Sequence, residues 1–145
     1  SMRSMSVYNS NGFLIKRIHD RLEKLSNNVL RAKDLTMMQV AVLMFLQAAT
    51  GKQLPMKEIE KHFGVAQSTA AGIISRLEQK GLVEACSDPA DKRIKLVHIT
   101  PAGEACCAEA SHDMDDAEQT LLHGFSDEER IMLNTLLTRV ANNLK

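Results

Sequence analysis

The stretch PMKEIEKHFGVAQSTAAGIISRLEQKGL, residues 55–82, decides how this chain folds. Proline is tolerated at the first position of a helix because its missing N–H would be unpaired there anyway, so Pro55 opens a short helix over Met56 to Phe63. Ile59 and Phe63 are one turn apart and face inward. Gly64 breaks that helix, and Val65 follows as a turn residue expected to be buried. A second helix is predicted from Ala66 to Lys80, with Gly81 as the left-handed stop that glycine provides most cheaply. Its residues Ala70, Ile73, Ile74 and Leu77 form one apolar stripe, and Gln67, Ser68, Gly72, Ser75, Arg76 and Gln79 lie away from it. Two helices joined by a glycine-containing turn make a helix-turn-helix.

Downstream, Leu82 to Cys86 and Ile94 to Thr100 read as two strands. The seven residues between them, Ser87 to Arg93, are more than a tight hairpin needs. Thr100 and Pro101 start a long helix reaching about His123, with Gly103 weakening its first turn. Ser126 and Glu129 have capping-box spacing ahead of a last helix striped by Leu133, Leu136, Leu137, Val140 and Leu144. Upstream, Leu14, Ile18, Leu22, Leu25 and Val29 stripe a first helix over Asn11 to Ala32. Thr36 and Gln39 cap a second, which is apolar nearly all round from Val40 to Leu46 and ends at Thr50 and Gly51.

This order predicts a mainly α chain of the α+β winged-helix type, with N- and C-terminal helices forming a dimerisation region. The expected division is a dimerisation helix over 1–35, a winged helix-turn-helix over 36–100 and dimerisation helices over 101–145. Ser1, followed by Met2, reads as a cloning remnant before the natural start.

The charge distribution agrees with this division. The net charge is zero, yet residues 104–129 carry nine acids and no Lys or Arg, so the remainder is mildly basic. An acidic segment containing Asp113, Asp115 and Asp116 repels phosphate and is expected to point away from any nucleic acid. A helix entering the major groove needs short polar groups that reach base edges without clashing, and the outer face of the second helix of the pair supplies them. Gly72 costs about 1 kcal/mol relative to Ala in a helix interior, a cost that close backbone approach to DNA would justify. Lys92 and Arg93 stand at the hairpin tip, where Arg can enter a narrow minor groove, and Asp91 is placed to hold an Arg by a charge-assisted hydrogen bond.

These residues resemble the MarR (multiple antibiotic resistance regulator) family. The resemblance rests on Gln67-Ser68-Thr69, Leu77-Glu78-Gln79-Lys80-Gly81-Leu82-Val83, Asp88-Pro89-Ala90-Asp91-Lys92-Arg93 and Ile99-Thr100-Pro101-Ala102-Gly103. Leu35-Thr36 with Gln39 resembles the family's entry to its second helix. The resemblance implies an obligate homodimer whose first and last helices intertwine, a recognition helix over 66–80 and a minor-groove wing Arg at Arg93. The implied function is a sequence-specific regulator of transcription, a ligand-responsive repressor on a pseudo-palindromic operator of double-stranded DNA. The expected DNA contacts are Gln67, Ser68, Thr69, Gly72, Ser75, Arg76, Lys92 and Arg93, with Asp91 as wing support. In the family, small and often aromatic or phenolic effectors bind where the dimer helices meet the winged helix. By placement, His19, Met44, Ala48 and Cys106 are the candidates here, although core packing also accounts for Met44. The chain departs from the family after Gly81-Leu82-Val83, where Glu84, Ala85, Cys86 and Ser87 stand in place of several cations. Fewer phosphate contacts imply weaker and less salt-dependent binding.

The sequence offers no phosphate-binding glycine loop, zinc-protease helix or nucleophile elbow, so neither an enzyme nor a cofactor is expected. Glu109, His112 and Asp116 share a helix face, which a solvated acidic surface explains better than a metal. Cys86, Cys106 and Cys107 make an odd count with no disulfide framework, in keeping with a reducing cytoplasm and no membrane span. Redox sensing at Cys86 or Cys106 is set against buried, inert thiols. The alternative to a DNA regulator is a winged-helix protein-interaction module that does not read DNA.

Overall fold

A computed structural model describes residues 6–144; the expected cloning remnant at Ser1 lies outside them. The elements are α1 (Asn11–Ala32), α2 (Met37–Ala48), β1 (Gln53–Pro55), α3 (Met56–Phe63), α4 (Gln67–Gln79), β2 (Val83–Ser87), β3 (Lys95–Ile99), α5 (Pro101–Leu121) and α6 (Asp127–Asn143). They form two compact units, one ending at Ser111 and one beginning at His112, so the boundary falls inside α5.

In the first unit, α2 is the centre because its sequence leaves it no polar face. Val42, Leu43 and Leu46 are fully buried and pack with Ile59 of α3, Ile74 and Leu77 of α4, and Val83, Val97 and Ile99 of the strands. Thr36 accepts from the Gln39 N–H at 3.1 Å, and the Gln39 side chain accepts from the Thr36 N–H at 3.1 Å. This reciprocal cap satisfies two of the donors a helix start leaves unpaired. A second cluster of Leu30, Val40 and Ala110 joins the end of α1 to α2 and α5, and Lys33 Nζ meets Glu109 at 2.7 Å.

The sheet has three antiparallel strands in the order β1-β3-β2, not the two that were expected. The added strand pairs Gln53, Leu54 and Pro55 with His98, Val97 and Leu96. Three residues ending in proline carry no alternation of their own, and their pairing exists only because β3 returns beside them. Pro55 is the N-cap of α3 and not its first residue. Val65, expected to be buried, is only half-buried.

The second unit contains the rest of α5 and α6. Ser126 accepts from the Glu129 N–H at 3.2 Å and the Glu129 carboxylate accepts from the Ser126 N–H at 2.9 Å, completing a second capping box. Leu122 is buried and Arg130 donates to its carbonyl at 3.2 Å. No helix among the described residues is long and apolar enough to cross a membrane.

Candidate nucleic-acid interface

Helix α4 is held by one face. Ala70, Ile74 and Leu77 are buried and Ile73 is half-buried against the core. Gln67, Ser68, Thr69, Ser75 and Arg76 are all exposed. Gly72 is half-buried, and a Cβ built on it meets nothing within 4 Å. Packing within the chain therefore does not demand a glycine there.

The wing is built by short-range hydrogen bonds. Beyond the last strand pair, Ser87 with Lys95, the Asp88 N–H donates to the Ile94 carbonyl at 2.8 Å and the Ile94 N–H donates to the Asp91 carbonyl at 2.9 Å. Asp88 Oδ1 accepts from the Ala90 N–H at 2.9 Å. Asp91 Oδ1 accepts from both the backbone N–H and Nε of Arg93 at 3.0 Å, while Asp91 Oδ2 accepts from Nη2 at 3.0 Å. The Arg93 side chain is 90 % exposed. An exposed arginine is thus held in a two-oxygen fork, geometry only a guanidinium supplies. The Arg93 side chain holds the Asp91 carboxyl below its ordinary range, and Asp91 in turn raises Arg93. Lys92 beside it is exposed.

A cleft of about 740 Å³ opens between the end of α1, the start of α2 and the end of α4. Arg31, Arg76 and Lys80 line it with a single carboxylate, Asp34, which approaches Lys80 at 3.5 Å. Leu30, Leu35 and Met37 supply its apolar part. None of the four expected effector residues lines this cleft. His19 is exposed on α1 with Nδ1 3.4 Å from Asp20; Ala48 is exposed at the end of α2. Met44 and Cys106 are half-buried against the main core. Arg31, Asp34 and Lys80 carry no local pattern that marks them, because the cleft joins segments far apart in sequence.

Burial raises the thiols of Cys106 and Cys107 above their ordinary value, while Cys86 is exposed on β2. Glu109 is engaged by Lys33 and His112 lies 3.5 Å from Asp116.

Comparison with known proteins gives this geometry a family. A family model described as "MarR family" matches residues 33–94. The Multiple antibiotic resistance protein MarR of Salmonella typhimurium is 33 % identical over 131 residues, 89 % of each chain. The chain belongs to the MarR family. It is a transcriptional regulator with a DNA-binding winged helix, as the motifs of the wing and of α4 imply. The MepR–DNA complex of S. aureus superposes with a TM-score of 0.75 at 25 % identity, covering 92 % of this chain and 99 % of that one. BpsR of Bordetella bronchiseptica, whose DNA binding is regulated by 6-hydroxynicotinic acid, superposes at 0.70 with 26 % identity, covering 96 % of this chain and 98 % of its own.

Proposed function

We propose that this MarR-family regulator is a cytoplasmic, ligand-responsive repressor that binds a pseudo-palindromic operator as a homodimer. The observation that carries the reading is the Asp91–Arg93 fork at the wing tip, which presents one oriented cation alongside the small polar face of α4. In this reading Gln67, Ser68, Thr69, Gly72, Ser75 and Arg76 meet the major groove, while Lys92 and Arg93 reach the adjacent minor groove. MepR in complex with DNA supports the same use of the fold.

Leu14, Ile15, Ile18 and Leu25 of α1 are exposed apolar residues, and so are Ile131, Met132, Leu136, Leu137 and Val140 of α6. Exposed stripes of this length mark an interaction surface, and a second copy of the chain is the partner the family favours. The winged helix would then span 36–100 and the flanking segments 1–35 and 101–145 would carry dimerisation.

For the effector, the cleft beside α4 is a better seat than the set His19, Met44, Ala48 and Cys106. Its three cations against one carboxylate, over an apolar floor, suit an aromatic acid. BpsR responds to such a molecule. Two experiments test the reading. Gel-shift titration with the promoter region beside the gene is expected to show selective binding that Arg93→Ala weakens by about 1–3 kcal/mol. A panel of aromatic acids is expected to lower that DNA affinity, and DNA must weaken the acid by the same factor. Equal affinity for parent and Arg93→Ala sinks the minor-groove role.

A further inference from the structure

Three segments meet where α4 ends. Gly81 stops the helix with φ +72°, and the Leu82 N–H donates back to the Leu77 carbonyl at 3.0 Å. The Thr100 hydroxyl donates to the Gly81 carbonyl at 2.6 Å, and the Thr100 N–H donates to the Leu82 carbonyl at 3.1 Å. The same hydroxyl oxygen accepts from the Gly103 N–H at 3.1 Å, capping α5. One side chain therefore bonds the stop of α4 to the start of α5.

Gly103 closes the joint. A Cβ built there lies 2.6 Å from Ile99 Cγ1 and nearer still to the Leu82 carbonyl oxygen. A backbone oxygen cannot swing aside as a flexible side chain can, so only glycine lets the first turn of α5 sit this close. Glu78, in the last turn of α4, adds a third tie by accepting from the Ala85 N–H of β2 at 3.2 Å. The end of the recognition helix, the root of the wing and the start of α5 thus share one hydrogen-bonded node without slack.

We propose that Thr100 and Gly103 are positioning residues for DNA readout: they fix the angle between α4 and the wing, so that major-groove and minor-groove contacts form together. The proposal rests on the reading that α4 and Arg93 both touch DNA. A node of this kind acts through groups that touch DNA and touches none itself.

The test uses the full chain with Thr100→Val, Thr100→Ser and Gly103→Ala. Valine keeps the branched shape and removes the hydroxyl; serine restores it. Affinity for the upstream duplex is measured over a salt series at a temperature where circular dichroism shows each variant folded. Thr100→Val and Gly103→Ala are expected to lose about tenfold in affinity. Their salt slope is expected to fall by about 1, as a wing cation loses its contact with the DNA. Thr100→Ser is expected to match the parent. Amide hydrogen exchange without DNA gives a second readout. Thr100→Val is expected to speed exchange at Gly103, Leu82 and Ala85 and leave α2 and α3 unchanged. A parent-like slope and affinity with only a lower melting temperature would show a merely structural role and overturn the proposal. So would a Thr100→Ser variant that behaves like Thr100→Val. If the parent itself binds no duplex, the DNA reading fails, and parent-like exchange in Thr100→Val still refutes the joint.

Discussion

Asp91 grips Arg93 twice, taking its backbone N–H and its guanidinium on one carboxylate, so the tip of the wing and the direction of its cation are set by the same residue. Asp91→Asn keeps the size and removes the charge. It is expected to weaken duplex binding by less than Arg93→Ala does, because the cation remains but is no longer aimed. Because Arg93 lowers the Asp91 pKa, the contact is in place above the ordinary carboxylate value of 3.8 and is lost only as pH falls through the lower folded value. The Arg93 Nε–H resonance should therefore hold its position from pH 8 to about 5. A titration of that resonance inside this window would contradict the assignment.

The two capping boxes give matched stability changes. Thr36→Ala and Ser126→Ala should each cost about 1 kcal/mol, since each leaves a helix-start donor without its partner. Urea unfolding followed by circular dichroism measures both. Thr36→Ser, which keeps the accepting oxygen, should cost clearly less than Thr36→Ala.

The cysteines should separate by reactivity. Burial raises Cys106 and Cys107, which leaves little thiolate at neutral pH. Alkylation followed by mass spectrometry is expected to label the exposed Cys86 first. Faster labelling of Cys106 would revive it as a redox sensor.

A charge placed in an exposed apolar stripe reports on assembly. Ile18→Glu in α1 and Leu137→Glu in α6 replace residues that are 46 % exposed in the isolated chain. If these stripes bury against a second copy, each variant should sediment as a monomer at concentrations where the parent is a dimer. A parent that is monomeric and folded at micromolar concentration refutes the homodimer.

Much of the fold was legible because its signals are local. The stripe of α1 and the capping residues Thr36, Gln39, Ser126 and Glu129 each lie within a few turns of one helix, and the observed bounds of α1 match the expected ones. The stop at Gly81 is local too. The wing contact was legible for the same reason, since Asp91 and Arg93 are two residues apart. Strand β1 was not, because Gln53–Pro55 is extended only through its pairing with a strand some forty residues later.

Gly103 draws the line between the two sources of information. Read along the chain, it is a weak point in the first turn of a helix, since glycine costs conformational entropy there. In the folded protein it is the one residue that fits between the Leu82 carbonyl and Ile99. The sequence by itself determined the helices, their caps, the turn between α3 and α4 and the charged wing tip, because hydrogen bonds and side-chain periodicity over a few residues decide those. Only the tertiary structure decided the third strand, the cationic cleft of Arg31, Arg76 and Lys80, and the joint of Thr100 with Gly81. Those depend on backbone and side-chain atoms that chain folding brings within bonding distance from positions far apart in sequence.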